Sequence, residues 1–472
     1  MKPIGFSWRS NKIFIASSVG AGLFTDLFLY GLIVPVLPFM LVDHVGMPQD
    51  QVQGHVSSLL AAYAGASVLT SPIAGVITDR FRSRRAPFLL GVTFLTAATT
   101  LLVLARTIAL LIVARALQGV SACFVWSTGM ALLFETVGAA DLGKYIGAIF
   151  GVISIGTLLA PMLGGILYEK GGLAAVFILA FAILATDFIC RLVIIEAKDA
   201  EQYNKLDYTN SSSGEDRFGV DNDATEDATP VDEATRLLST PTTNDDEDPY
   251  KISPNLPAIF RFIPILPCLA APRLIAALTI AFVQAILIGS IDATVPLVSE
   301  EYYGFSSLRA GLMFLPIGIA NLIFGPFLGR CVDKLGPKMV AVSVYLYLVP
   351  VLACFQFVHP GGRQEVILYE ALLGLVGIGM AGMGAPSIIE ASTVVAKYHM
   401  ANMDFFGPNG PYAQLYSLNF FFYSLGLAVG PELAGHLREK IGYGCMNAAL
   451  AVICAVAALV CFFFIGEKKS KR

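Results

Sequence analysis

The sequence predicts an all-α membrane protein in which twelve transmembrane helices form two pseudo-symmetric six-helix bundles. Of its 472 residues, 56% are hydrophobic and 14% are charged, and the mean hydropathy is +0.70. A soluble protein of this length needs more charge to cover its surface. Apolar runs of about 20 residues, the length with which a helix crosses the hydrocarbon core, recur along nearly the whole chain. The two halves also repeat each other, as they do in many transporters.

The apolar runs define the predicted elements. Gly and Pro occur inside many of them, as membrane-embedded helices tolerate, so each run is interpreted as a helix. In the first half the predicted spans are 13–40, 53–78, 87–105, 107–134, 143–168 and 173–195. In the second half they are 272–300, 309–332, 338–358, 365–395, 412–437 and 444–466.

The charges between the spans predict the orientation. With a cytoplasmic N-terminus, most Lys and Arg residues fall on the cytoplasmic side, so both termini are expected there. The first run starts near residue 13 and is too long for a cleavable signal, so it is interpreted as the first membrane helix. The opposite side keeps only Arg106, Lys170, Arg309, Arg363, Arg438 and Lys440.

One long polar segment divides the chain into an N-terminal bundle, 1–195, and a C-terminal bundle with a short tail, 272–472. The segment 196–271 is rich in Asp, Glu, Ser and Thr, which predicts a disordered cytoplasmic linker. Within it, Glu233, Leu237 and Leu238 have the spacing of a dileucine signal that a sorting adaptor reads, although so short a match also arises by chance.

The composition of the spans argues against several other classes of protein. Five of the eight cysteines lie inside apolar runs, and none has the pair spacing of a metal site. The spans contain no nucleophile and base arrangement, so an enzyme, a metal and a cofactor are not expected. Nothing in the charge pattern supports nucleic-acid binding, and the chain is expected to act as a monomer.

A short cassette, Pro-x-x-Gly-x-x-x-Asp-(Arg/Lys), closes one apolar run in each half, and the copies lie 254 positions apart. A carboxylate at a helix end can pair with nearby cations and with a positive helix N-terminus. A contact that exists in one state stabilises that state only, so the cassette predicts a gating latch. The positive-inside rule alone explains the cations but not the repeated Pro, Gly and Asp. The latch residues are Gly75, Asp79, Arg80 and Arg84, with Gly329, Asp333 and Lys334 in the second half.

The repeat extends to spans five and eleven, where Pro161 and Gly165 recur as Pro431 and Gly435. Small residues let membrane helices pack closely, and these positions predict a seam that also acts as a hinge. The predicted hinge residues are Gly156, Pro161, Gly164, Gly165, Gly430 and Pro431.

Asp26 is the most informative charge, because it lies mid-way along span one, nine residues before Pro35. An ionised carboxylate at that depth costs roughly 2.5 to 3.5 kcal/mol on insertion scales. It is therefore predicted to release a proton when a cationic substrate or outside water arrives, and to take one back afterwards. The alternative is a carboxylate paired quietly with a neighbouring helix.

Arg115 in span four, Glu370 at the matching position of span ten and Asp292 in span seven complete the predicted coupling residues. Arg115 can pair with an acid, either in a proton relay or in a purely structural pair. Asp292 lies nearer the outer end, where a solvated carboxylate is the alternative.

Four further charges are predicted to be structural. Asp187 and Arg191 are four residues apart on span six and neutralise each other. Glu135 and Glu390 fall near cytoplasmic helix ends and are expected on wetted faces.

The motifs together resemble the major facilitator superfamily over nearly the whole chain apart from the linker. The first cassette resembles the loop motif of that family, although Arg82 stands where Gly is usual. Arg115, Gln118 and Gly119 resemble its fourth-helix motif. The likeness is closest to twelve-span drug:proton antiporters, and among them to vesicular amine transporters and fungal exporters of secondary metabolites. The antiporter motif of helix five is resembled by Gly151, Gly156, Ala160, Pro161, Gly164 and Gly165.

The resemblance implies a role for Asp26, which with Val34 and Pro35 matches an Asp that contacts the amine in vesicular amine transporters. Asp292 likewise resembles an acidic position of that family. Tyr63 replaces a membrane Lys of those transporters, so a monoamine is not the expected substrate and a larger, partly apolar metabolite is. The cavity candidates are Tyr30, Tyr63, Trp126, Gln284, Asn321, Asn419 and Tyr423.

The expected function is proton-coupled export of a small organic compound, with the compound, protons and lipid as partners. Alternating access would expose a central site to the two sides in turn. The expected location is a plasma membrane or a vacuolar or vesicular membrane. A proton-independent facilitator, an organic-anion exporter and a non-transporting nutrient sensor remain alternatives, since the same fold hosts different functions.

Overall fold

A computed structural model describes residues 5–43, 45–81, 83–196, 250–252, 257–305, 307–407 and 410–466. All the regular secondary structure in these ranges is helical, and ten helices are long and apolar enough to cross a membrane. Two of the ten have 53 residues each. At 1.5 Å per residue such a helix measures about 80 Å, far more than the ~30 Å hydrocarbon core, so each must contain two crossings.

Glycines divide both long helices. Gly172 has φ 63° inside Asp141–Val193, and Gly442 has φ 84° inside Tyr412–Phe464. These left-handed angles suit Gly and end a regular helix. The described residues therefore contain six membrane-length helices in each half, which confirms the predicted fold class.

The N-terminal half contains helices α1 to α6. Asn11 caps α1, because its side chain accepts a hydrogen bond from the Ile13 N–H, and Thr107 caps α4 through the Leu110 N–H. Their bounds are α1 Lys12–Val36, whose last turn is a 3₁₀ helix, α2 Gln49–Arg80, α3 Arg85–Leu104, α4 Ile108–Gly138, α5 141–171 and α6 173–193.

The C-terminal half contains helices α7 to α12. The span predicted as one helix over 365–395 is interrupted, since a turn at Gly382 and Met383 separates its two parts. Gly382 packs so closely on α9 that an added Cβ would lie 2.6 Å from a Val344 methyl group. The bounds are α7 Pro272–Tyr303, α8 Leu315–Leu335, α9 Pro337–Phe357, α10 Arg363–Ala381 with Gly384–Ala401, α11 412–441 and α12 443–464.

Part of the segment predicted as a disordered linker is ordered. Residues 257–271 include the short helices Ala258–Phe262 and Leu266–Ala270, and Cys268 is fully buried. This stretch lacks the acidic composition of the residues further upstream, so it has apolar side chains to bury. Ile265 lies in a hydrophobic core, and its N–H donates to Gln414 Oε1 of α11 at 3.3 Å. Residues 197–249 and 253–256 lie outside the described residues.

Two helix pairs join the halves at the end where the cassettes lie. Helices α5 and α8 touch backbone to backbone, since a Cβ added to Gly147 would lie 2.1 Å from the Gly325 carbonyl oxygen. Gly143 and Gly329 meet in the same way one turn along. Between α2 and α11, the Ser71 hydroxyl donates a 2.6 Å hydrogen bond to the Ser417 carbonyl. Small residues thus form both seams, as close membrane helix packing requires.

Candidate functional site

Asp79 at the end of α2 connects the two halves. Its Oδ1 accepts a hydrogen bond from the Ala413 N–H at 3.0 Å, and its Oδ2 accepts one from the Gln414 N–H at 2.9 Å. These N–H groups lie in the first turn of α11, where a helix leaves its donors unsatisfied and carries partial positive charge. The carboxylate therefore caps a helix that belongs to the other half.

Asp333 repeats this arrangement with the halves exchanged. It lies at the end of α8, and it accepts hydrogen bonds from the Gly143 and Lys144 N–H groups at 2.8 and 2.9 Å. Both donors are in the first turn of α5. The Lys334 side chain next to it is exposed and forms no ion pair or hydrogen bond with the described residues. Gly75 and Gly329 lie in the two seams, with an added Cβ at 2.7 Å from the Ser417 Cβ and 2.1 Å from the Gly143 oxygen.

Arg84 is the cation that pairs with Asp79 in the first latch. Its Nη1 donates to Asp79 Oδ1 at 3.0 Å and its Nε donates to Glu135 Oε1 at 2.9 Å, with only 1% of its side chain exposed. Arg80 instead lies over the Phe262 ring, 4.6 Å from its centre. The prediction that Glu135 lies on a wetted face is wrong, because its carboxylate pairs with the buried Arg84 and only 13% of its side chain is exposed.

Glu390, at the corresponding position of α10, is also buried rather than wetted, with 1% of its side chain exposed. It accepts hydrogen bonds from Arg273 Nε at 2.7 Å and from the Gly466 N–H at 3.0 Å. Sequence spacing alone gave no sign of this group, because Arg273 and Gly466 lie at the far ends of α7 and α12.

Asp26 lies inside the N-terminal half with 6% of its surface exposed. Its only side-chain hydrogen bond in the described ranges comes from the Ser121 hydroxyl, at 3.5 Å. It forms no ion pair there, but it interacts electrostatically with Arg191 and Asp187 on α6. A carboxylate in the middle of the membrane without a direct cation partner is stabilised by binding a proton or a cation.

Arg191 was predicted only as the partner of Asp187, and its place beside Asp26 was missed. It is fully buried, its Nη2 lies 2.6 Å from Asp187 Oδ2, and its Nη1 donates to the Phe88 carbonyl at 2.6 Å. The sequence feature that could have indicated this contact is Gly22, one turn before Asp26. A Cβ at Gly22 would lie 2.6 Å from Arg191 Nη2, so the guanidinium occupies the space that this Gly leaves on α1.

Arg115 is fully buried in α4, but the acid partner expected for it is not found in the described part of the chain. Its Nη1 donates to Gln118 Oε1 at 2.9 Å, while its Nε and Nη2 have no hydrogen-bond partner among the described residues. Its guanidinium carbon lies 5.3 Å from the centre of the Tyr30 ring. Tyr30 in turn contacts Tyr63, with ring centres 4.5 Å apart.

Asp292 on α7 is exposed, yet it interacts electrostatically with Tyr30 on α1 and Tyr423 on α11. Since these two tyrosines belong to opposite halves, Asp292 lies near the boundary between the halves. The structure brings Asp292, Tyr30, Tyr63 and Arg115 together. Glu370 is half-buried on α10 and is not among these contacts.

The remaining cavity candidates separate into two groups. Trp126 stacks on Phe420 and Tyr423 across the halves, with ring centres 5.5 and 6.4 Å apart. Asn419 points instead into the C-terminal half, where its amide donates to the Ser387 hydroxyl at 3.0 Å. Gln284 is buried on α7, and the Asn321 backbone lies against Gly151 of α5.

The predicted hinge positions pack α5 on α1 and α11 on α7. A Cβ at Gly164 would lie 2.1 Å from the Leu32 oxygen, one at Gly156 would meet the Phe24 ring, and one at Gly430 would lie 2.5 Å from the Ile286 oxygen. Gly165 faces open space. The two prolines occupy matching places, Pro161 against Gly31 and Pro431 against Gly289. Leu237 and Leu238, the predicted sorting signal, lie outside the described residues.

Comparison with known proteins agrees with this architecture. The profile of the Major Facilitator Superfamily matches residues 19–406. The chain is 40% identical to the MFS-type transporter ppzB of Metarhizium rileyi over 99% of its own length and 98% of the relative. It is 23% identical to the synaptic vesicular amine transporter of Mus musculus, over 86% of this chain and 66% of that one.

A solved structure shares the fold. The crystal structure of the human organic anion transporter MFSD10 (TETRAN) aligns with a TM-score of 0.64 and 18% identity, covering 96% of this chain and 99% of that one. The resemblance drawn from the motifs is thereby confirmed, and the chain is a transporter and not an enzyme. Six helices per half, the paired latches and the family profile together place this chain in the major facilitator superfamily, to which it belongs.

Proposed function

We propose that the protein is a proton-coupled antiporter that exports a small organic compound by alternating access, with Asp26 as the proton site. The supporting observation is the environment of Asp26, a carboxylate enclosed between α1 and α4 without a direct ion pair in the described ranges. Such a group is stable in the membrane interior when it carries a proton or when a cation faces it. Exchange between these two conditions is what proton antiport requires.

The two latches supply the alternation. Asp79 and Asp333 each hold a helix N-terminus of the opposite half, so their hydrogen bonds exist only while that end of the molecule is closed. By the distribution of Lys and Arg, the closed end is the cytoplasmic one and both termini face the cytoplasm. Opening that end breaks both latches and exposes the central site to the cytoplasm.

The substrate class we propose is an amphiphilic secondary metabolite that carries a cationic group. Trp126, Tyr423 and the Tyr30 and Tyr63 pair offer aromatic faces near the centre, and aromatic faces bind apolar bodies and cations. The vesicular amine transporters, to which the chain is distantly similar, are named for amines. The compartment that receives the compound is the cell exterior or a vacuole-like vesicle.

Transport into sealed vesicles, with and without an imposed pH gradient, tests this proposal. Wild type is compared with Asp26→Asn, which keeps the shape and removes the proton site, over a panel of metabolites. Gradient-driven uptake is expected to fall at least tenfold in the variant, while gradient-independent exchange persists. Glu300→Gln, a neutralised carboxylate on the exposed end of α7, is the matched control and should transport as wild type does. Unchanged gradient-driven uptake in Asp26→Asn would rule out the coupling role.

A further inference from the structure

We propose that the substrate is bipolar, with a cationic group that reaches Asp292 and a separate anionic group that reaches Arg115. This deepens the proposed function and depends on it in one respect, namely that the space between the halves holds the transported compound. The inference comes from two opposite charges on opposite halves that have no ion-pair partner in the described part of the chain and that both act on Tyr30.

Arg115 provides the part of the site that would bind the anionic group. Gln118 accepts a hydrogen bond from Nη1, whereas Nε and Nη2 have no hydrogen-bond partner in the ranges that the structure describes, although the side chain is fully buried. A buried charge is costly unless it is paired and hydrogen-bonded. The free Nε and Nη2 form the edge of the guanidinium fork that binds a carboxylate or a phosphate in a bidentate manner.

Asp292 provides the part of the site that would bind the cationic group. No ion pair or side-chain hydrogen bond reaches it from the described residues, and the residue is exposed although it interacts electrostatically with Tyr30 and Tyr423. Acids inside membrane proteins that face an internal space mark substrate or ion pathways.

Tyr30 interacts with both charges. Its ring lies 5.3 Å from the guanidinium carbon of Arg115, and its hydroxyl interacts electrostatically with Asp292. Because Arg115 belongs to the N-terminal half and Asp292 to the C-terminal half, a ligand that reaches both charges also joins the two halves. A ligand with one charge engages one half only, so it gains less from the closed arrangement.

The test uses matched probes that differ in charge alone. For an indole body these are tryptophan (zwitterion), tryptamine (cation) and indole-3-propionate (anion), and equivalent triads are built on phenyl and naphthyl bodies. Binding to the purified full-length protein is measured by the ligand-induced rise in unfolding temperature at one pH. At least one zwitterion is expected to bind tenfold or more tightly than both of its singly charged partners. If no zwitterion exceeds its partners, the proposal is overturned.

Variants assign the two charges. Arg115→Gln should remove the advantage of the zwitterion over the amine, and Arg115→Lys should restore part of it. Asp292→Asn should remove the advantage of the zwitterion over the anionic probe. Arg363→Gln and Glu300→Gln, which neutralise exposed charges, are the controls and should keep the wild-type order. An unchanged order in Arg115→Gln contradicts the proposal.

A ligand-free measurement separates this idea from direct pairing of Arg115 with Asp292. If each charge waits for a ligand, neither single neutral variant lowers the unfolding temperature. If the charges pair with each other, both single variants lower it and the double variant restores it, which overturns the proposal. These binding measurements involve no pH gradient. A preference for zwitterions therefore holds even if uptake by the wild type does not depend on the gradient, so the two proposals can fail independently.

Discussion

At the scale of single residues, two arginines of the first latch, four positions apart, differ greatly in their contacts. Arg84 is almost completely buried between Asp79 and Glu135, whereas Arg80 only covers the Phe262 ring. The cassette predicted that its Asp would meet cations and a helix N-terminus. It did not predict which cation, because the answer depends on Glu135, 51 residues further along the chain.

Replacing Arg84 with Gln should therefore be far more damaging than replacing Arg80. Arg84→Gln leaves two carboxylates without their cation, and breaking a buried pair costs about 3 to 5 kcal/mol. Arg80→Gln removes one cation–π contact, worth about 0.5 to 1 kcal/mol at an exposed site. Denaturant unfolding of the purified protein in detergent measures both. Equal losses for the two variants would contradict the role given to Arg84.

At the scale of helices, glycine positions decide which seams are tight. Spacing predicted that the glycines of α5 are packing positions, but it could not say which neighbour each one meets. Gly156 and Gly164 face α1 in the same half, Gly143 and Gly147 face α8 in the other half, and Gly165 faces open space. The direction of each face depends on how the bundles associate, which local sequence does not encode.

This difference predicts opposite results for two Gly→Ala changes on one helix. Gly147→Ala places a Cβ against the Gly325 oxygen, and overpacking of this kind costs about 1 to 3 kcal/mol in the closed end. Gly165→Ala should have no effect on gating. The readout is the maleimide reaction rate of a cysteine placed at Ser417, which is buried in the other seam, after the natural cysteines are replaced. We expect the rate to rise about tenfold with Gly147→Ala, and a similar rise with Gly165→Ala would contradict the assignment.

At the scale of the whole molecule, the two latches are copies of one contact with the halves exchanged. The internal repeat predicted two halves and two latches, and the helix count and the family profile agree with the fold. The charge groups inside each half were harder to predict. Arg191 beside Asp26 and Arg273 beside Glu390 join helices that are distant in sequence, and no repeated motif marks them.

If both latches close the same rigid-body gap, their effects must combine. Asp79→Asn and Asp333→Asn each weaken the two charge-assisted hydrogen bonds that cross between the halves, and each should favour opening of that end about tenfold. The double variant should favour it about a hundredfold, because distant sites act additively on one equilibrium. Spin labels at Phe81 and Arg330, both exposed at this end, report the distance between halves. A double variant no more open than the stronger single one would show that the latches act on separate motions.

The glycine seam between α5 and α8 also bears on which mutations the gene can accept. Glycine is the smallest residue, so every missense change at Gly147 or Gly325 adds at least a Cβ atom. At Gly147 that atom would meet a carbonyl oxygen of the other half at 2.1 Å, and at Gly325 it would meet one at 2.6 Å. Any such substitution destabilises only the state in which α5 and α8 are in contact. Random mutagenesis at these two codons should therefore yield transporters biased toward the same open arrangement, whichever amino acid is introduced.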